Sequence, residues 1–448
     1  MERRKFLKLS IAATVVLPSI SYAKKTDFSQ IRFSNNNNNA QTIILFLYGG
    51  ASQLAGNLSN YEEIEEKSQN SYKGYFTGGN KIVKTQNNFW EKAGGSHLEA
   101  MLADGDLTIF RTCYSKQREE SNNKAHGVCV SENQKGSFNQ DSAGMITNLA
   151  QILESNGVID SNTIMPFVTL EGASSFFEPG QIQIQSFLRP VQIGDDNSNP
   201  FKRYIRSWFN YTPMEREIEN YNNADSGFDP ALDAKIDALA QKINKPGKIK
   251  DAFTKRKNLE SLVENIKSQT TPDLGENAYS KTKFSKKIET AVKVLIENPD
   301  TKVVTLGTEG LGGWDDHSQS TKYIQRSEDL FRSLKSAMAH IKAKEKDGNI
   351  NIIVFGDFGR NVNLNNSNGW DHGNLQNLYI LGGKNYFTHQ GIVGETIVTG
   401  SGESNRLFLK PKMGSYEFEP LSIAATLYKI YGVENPELLT EGYEPINI

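Results

Sequence analysis

The chain has 448 residues, with 50 Lys and Arg against 52 Asp and Glu, for a formal charge of −2. This near-balance, with no basic stripe, excludes a nucleic-acid-binding protein. Its length is that of a large α/β enzyme folded as one unit with insertions, and no internal repeat divides it.

The N-terminus predicts export. Arg3, Arg4, Lys5 and Lys8 form a basic start, residues 9–20 are apolar, and Ser21-Tyr22-Ala23 places small residues where a signal peptidase cuts. The apolar stretch is shorter than the roughly 20 residues a membrane span needs, so residues 1–23 read as a cleaved signal peptide. The run Arg3-Arg4-Lys5-Phe6-Leu7-Lys8 resembles the twin-arginine export consensus, with Glu2 where that consensus prefers Ser or Thr. The expected location is periplasmic or secreted. Cleavage removes four basic side chains and one acidic one, taking the charge from −2 to −5. No later segment is apolar enough for a membrane span. Residues 24–41, with the run Asn35 to Asn39, read as a flexible lead-in.

From residue 42 to 448 a single α/β domain is expected. Short β-branched runs at 42–48, 107–111, 166–170, 302–306, 351–355 and 377–381 read as strands buried on both faces. Helical spacing lies between them: Ile288, Val292 and Leu295 before one strand, and Leu330, Leu334, Met338 and Ile341 before another. Pro420 and Gly432 frame a helix over 421–431. Strand followed by helix, repeated, predicts a three-layer α/β fold, a mostly parallel sheet flanked by helices. The stretch at about 201–269 is charged and helical in spacing, and reads as a helical insertion. Cys113 and Cys129, the only cysteines, either pair or stay as two buried thiols; the sequence allows both.

In such sheets ligands bind at the carboxyl ends of the strands. Three loops beside predicted strands are rich in polar residues: Gly312-Gly313-Trp314-Asp315-Asp316-His317, Gly356-Asp357-Phe358-Gly359-Arg360 and Gly369-Trp370-Asp371-His372-Gly373. Carboxylates and imidazoles converging there suit a divalent metal ion, and serve equally as acid–base groups. The candidate metal ligands are Asp315, Asp316, His317, Asp357, Asp371 and His372, with His126 from a Gly- and Asn-rich loop. Alone, each His reads as a hydrogen-bonded structural residue; two of the six histidines in Gly-flanked Asp/His loops shift the balance to a metal. Arg360 is a candidate substrate-binding residue, its fork of donors suiting an anionic ester oxygen; a loop-holding salt bridge is the other reading. His97 and His389 have no constellation around them, and His340 lies on a packing helix.

Residues 312–319 resemble a glycine-rich Gly-Gly-Trp-Asp-Thr-His segment, 356–360 a Ser-Glu-Phe-Gly-Arg segment, and 368–373 a Gly-x-Asp-His-Gly segment of the DUF1501 family. Gly49-Gly50-Ala51-Ser52-Gln53 and Ala125-His126-Gly127 resemble its upstream segments. That family is a branch of the alkaline-phosphatase-like superfamily of phosphatases and sulfatases. The resemblance implies an alkaline-phosphatase-like sheet and ester chemistry on a small or polymeric anionic ester. It also implies a divalent metal ion (zinc, calcium or manganese), with Asp315 or Asp316, His317 and His372 as ligands of one metal and Asp357 of another. Three departures favour one metal over two and leave a second expectation open, a non-catalytic exported binding or structural protein. Phe358 stands where phosphatases place a second His. Asn57 and Asn60 lie where relatives supply Asp. No nucleophile is identifiable, Thr112, Ser115 and Ser121 being candidates by position alone.

Overall fold

The computed structural model of the chain describes residues 28–34, 39–68, 71–194, 248–401 and 406–447, with a few positions between 234 and 242. The signal peptide expected at 1–23, most of the Asn run and most of the helical insertion lie outside the described residues.

Ten strands are described: β1 (Gln41–Leu47), β2 (Leu107–Tyr114), β3 (Phe167–Thr169), β4 (Val191–Gln192), β5 (Val303–Leu306), β6 (Ile350–Gly356), β7 (Leu375–Gly382), β8 (Gly391–Val393), β9 (Thr396–Ser401) and β10 (Arg406–Pro411). Eight form one sheet in the order β4-β3-β5-β1-β6-β7-β2-β8, and β9 and β10 form a hairpin. In the large sheet β7 is antiparallel to both its neighbours, while every other pairing is parallel. Seven strands therefore point one way and β7 the other.

The helices are α1 (Tyr61–Lys67), α2 (Gly95–Ala103), α3 (Lys116–Ser121), α4 (His126–Lys135), α5 (Met145–Ser155), α6 (Lys248–Ser268), α7 (Lys283–Glu297), α8 (Thr321–Ala343) and α9 (Leu421–Ile430). The α7 helix starts where the Thr282 side chain accepts from the Ser285 amide, and its Phe284, Ile288, Ala291 and Leu295 recur at helical spacing. Alternation along β1 shows why the sheet is the middle layer. Ile43, Leu45 and Leu47 pack with α7 and α8 on one face, whereas Ile44 and Phe46 pack with α5 and α9 on the other. The fold is thus a three-layer α/β architecture with a mostly parallel sheet. Both cysteines are buried free thiols. No described helix is long and apolar enough to cross a membrane.

Strand direction decides where the polar loops meet. Those after β1, β2, β5 and β6 emerge at the carboxyl edge. The loop before β7 reaches the same edge because β7 runs backwards.

Candidate metal centre

At the end of β1 the backbone turns through Gly49 and Gly50, at φ +104° and +71°. A Cβ on Gly49 would lie 2.5 Å from the Asp315 amide nitrogen, and one on Gly50 would lie 2.5 Å from the Phe358 ring, so only glycine fits. Both amides donate to Asp357 Oδ1, at 3.1 and 2.6 Å. Asp357 follows β6 directly and is fully buried. Its Oδ2 lies 2.6 Å from His126 Nδ1. One carboxylate therefore ties the β1 turn to the first residue of α4.

Each of three imidazoles has its Nδ1 held in this way. His372 Nδ1 donates to the Lys124 carbonyl at 2.7 Å; a carbonyl only accepts, so the ring proton sits on Nδ1. His126 Nδ1 faces Asp357, and His317 Nδ1 lies 3.2 Å from Asp371 Oδ1. The Nε2 atoms then share one space: His317 and His372 are 2.9 Å apart, and His126 Nε2 is buried with no hydrogen-bond partner. Asp315 Oδ1 closes the set, 3.2 Å from His126 Nε2, 3.1 Å from His317 Nε2 and 4.0 Å from His372 Nε2. The four ligand atoms of His126, Asp315, His317 and His372 lie within 4.8 Å of one another.

This cluster can hold a metal ion. Arg360 Nη1 also lies 3.3 Å from His317 Nε2, so a guanidinium borders the cluster on one side. Fixing the far ring nitrogen with a carboxylate or carbonyl is how metal-binding histidines are usually oriented. The Asp315 and His317 side chains are 52% and 45% exposed, so one side of the cluster faces solvent. Phe358 packs against the His126 and His372 rings, with centroids at 4.7 and 4.5 Å. Phe358 thus packs between two of the cluster's imidazoles.

Charge is arranged to match. Burial pushes the His372 imidazole down to about 4, helped by the Arg360 and His126 charges, so it is a neutral donor at ordinary pH. The bond to Asp357 raises His126. Burial raises Asp315, but the Arg360 bond and charge outweigh it and leave the carboxyl below its usual value.

Arg360 is buried and its donors meet protein acceptors. Nε donates to Gly50 O at 2.7 Å and Nη1 to Trp370 O at 3.0 Å; Nη2 donates to Trp314 O at 3.2 Å, to Asp315 Oδ1 at 2.7 Å and to Gly49 O. It clamps three loops together and holds Asp315, the loop-holding alternative to a substrate contact.

The remaining expected residues separate. Asp316 turns from the cluster to pair with Arg326, and burial raises its carboxyl. Asp357 and Asp371 stand behind histidines. Thr112 donates to Tyr416 O at 2.5 Å and Ser115 donates to Glu419, so both hydroxyls are engaged elsewhere. Asn57 and Asn60 bond Thr396. His97 pairs with Glu328, His340 approaches Tyr279, and His389 lies against Thr108 and the Gly382 carbonyl. Sequence reasoning missed Arg118, which donates to the Asp357 carbonyl at 2.8 Å and to Glu132 Oε2 at 3.0 Å, and Asn133, which bonds the Gly356 and Asp357 carbonyls. Nothing local in the sequence marks them; they act on backbone more than 220 residues away.

No family model matches the sequence, and no curated protein matches it. Solved structures that match include Ps i-CgsB in complex with k-i-k-neocarrahexaose, at TM-score 0.40 and 10% identity, covering 89% of this chain and 74% of that one. Another is the soluble domain of lipooligosaccharide phosphoethanolamine transferase A from Neisseria meningitidis, at TM-score 0.29 and 9% identity, covering 93% and 97%. At these TM-scores the likeness carries no argument about activity, and the fold rests on the sheet topology itself.

Proposed function

We propose that the chain is an exported metal-binding protein whose hydrolase-like site cleaves a phosphate or sulfate ester. The observation that carries this reading is the convergence of three Nε2 atoms and one carboxylate oxygen, each imidazole held from behind. Three nitrogens and a carboxylate suit zinc or manganese; calcium prefers an all-oxygen shell. When bound, such an ion polarises an ester oxygen and lowers the pKa of a bound water. The protein's own residues do the rest. Asp357 and Asp371 keep the protons of His126 and His317 on Nδ1. Arg360 fixes Asp315, and the exposed side of Asp315 and His317 admits a ligand oxygen. The sequence resemblance to the alkaline-phosphatase-like DUF1501 family and the basic start at residues 3–8 support the ester and export parts of the reading.

One observation favours a second reading, a binding protein without turnover: of the three candidate hydroxyls, Thr112 and Ser115 donate elsewhere, and Ser121 accepts from the Asn123 amide. Hydrolysis then depends on water. The deciding experiment incubates zinc- and manganese-loaded protein with p-nitrophenyl phosphate and p-nitrophenyl sulfate. Turnover abolished by His317→Ala is expected. Bound metal with no turnover on either ester favours the binding protein.

A further inference from the structure

Behind His126 stands a buried cation that touches none of the four cluster residues. The Arg118 side chain, on α3, is 2% exposed, and its guanidinium lies between the end of β6 and α4. Nη1 donates to the Asp357 carbonyl at 2.8 Å. The other two nitrogens face α4: Nε donates to Glu132 Oε2 at 3.0 Å, and Nη2 donates to Asn133 Oδ1 at 2.6 Å and to the Cys129 carbonyl at 3.4 Å. Asn133 closes the loop, its Nδ2 donating to the Gly356 and Asp357 carbonyls at 2.7 and 3.0 Å. Glu132 balances the charge, as burial of a guanidinium requires.

Helix α4 begins at His126, and Cys129 and Asn133 follow at i+3 and i+7, on the same face. Asp357 is therefore tied to one rigid face at two heights. Its carboxylate meets His126 Nδ1, and its carbonyl meets Arg118 and Asn133. The donors of a guanidinium diverge from a fixed plane, so Arg118 sets the gap between the β6 end and α4 where a flexible ammonium would follow it. That gap decides whether Asp357 Oδ2 reaches His126 Nδ1. Ligand side chains need placement to within about 0.5 Å, which comes from the groups packed behind them.

We infer that Arg118 is a positioning residue for the metal centre: it holds α4 against the β6 end, so that His126 meets Asp357 and presents Nε2 to the ion. The ion itself comes from the metal-binding reading above, which this role deepens; the His126–Asp357 contact does not depend on it.

NMR of the full chain with 15N-labelled histidine tests this, since it reads each imidazole separately. In the zinc-loaded native protein His126, His317 and His372 are expected to show metal-bound Nε2 signals. Arg118→Lys keeps the charge beside Glu132 and loses the fork. It is expected to remove the metal-bound signal of His126 alone and to weaken zinc affinity about 10–100-fold. Asn133→Ala leaves the Arg118–Glu132 pair and removes the second tie to the Asp357 carbonyl. The same selective loss is expected, and this variant decides the matter if Arg118→Lys does not fold. Asp106→Asn is the stability control, because it weakens buried pairs with Lys342 and Lys384 at the amino end of β2. It is expected to lower Tm with all three signals intact. Three ligated imidazoles in both Arg118→Lys and Asn133→Ala overturn the inference, as does the same loss of signals in the control. If the native protein takes up no zinc, the metal reading fails and the metal-free protein decides. A slowly exchanging His126 Nδ1 proton in the native protein, lost in both variants, then upholds the role of Arg118. A proton absent from the native protein, or kept in both variants, overturns it.

Discussion

His317 and His372 bring their Nε2 atoms within 2.9 Å across 55 residues of sequence, with Nδ1 of each ring already engaged. The His372 Nε2 lone pair faces His317 Nε2, since its Nδ1 donates to the Lys124 carbonyl, and a metal ion would join the two rings. Mature protein purified without chelator is expected to carry close to one equivalent of zinc or manganese by elemental mass spectrometry. His317→Ala and His372→Ala should each lower the metal content sharply. Equal metal in both variants and the native protein would remove the site.

Asp357 illustrates control from behind the ligands. In Asp357→Asn the group facing His126 Nδ1 becomes an NH2 donor, and the ring proton is driven to Nε2, where the metal would bind. Losing such a partner typically weakens metal affinity about 10–100-fold. Competition with a chromophoric chelator measures this, and thermal unfolding checks that the fold survives. Affinity equal to the native value would mean that Asp357 serves only the Gly49-Gly50 turn.

Adjacent carboxylates should behave differently. Asp315 joins the cluster while Asp316 faces Arg326. Asp315→Asn is expected to reduce metal content, whereas Asp316→Asn leaves it intact and lowers stability. A reversed pattern would make Asp316, not Asp315, the carboxylate that serves the metal.

Arg360 is buried and engages at least four loop acceptors, so its role shows in stability. Arg360→Lys keeps the charge but loses the planar fork. Stranding buried carbonyls costs on the order of 2–4 kcal/mol in total, read as a lower Tm. A native Tm with altered anion binding would restore the substrate-contact reading.

A pH effect is expected far from the metal centre. Burial lowers His340 from 6.5 to about 4, while its unfolded counterpart titrates near 6.5. Between these values the unfolded chain binds the extra proton. Stability is therefore full above about pH 6.5 and falls as pH drops towards 4, by up to roughly 3 kcal/mol from this group. Tm measured across pH 4–7 should fall less steeply in His340→Gln than in the native protein. Parallel curves would exclude His340 as the cause.

The pattern of residues decided a good deal by itself. Buried strands such as β1 and β6 need apolar side chains on both faces, so continuous β-branched runs revealed them within about a residue or two of their ends. Helices such as α7 showed through spacing, and the Asp/His loops through the density of ligand-type residues between glycines. Short strands such as β4 and β8 lack a run long enough to read, and α4 hid because its Gly- and Asn-rich start looks like a loop. What the chain alone leaves open depends on direction and long-range register. The loop of Asp371 and His372 precedes a strand, and only the reversal of β7 carries it to the edge where His317 waits. Asp315 rather than Asp316 faces the cluster because a single residue turns a side chain from one side of the loop to the other. Arg360 points inward because the Gly49-Gly50 turn, more than 300 residues away, presents carbonyls to it. His126 becomes a ligand-type residue only once Asp357 lies behind it, a pairing 231 residues apart that packing of α4 against the β6 end creates.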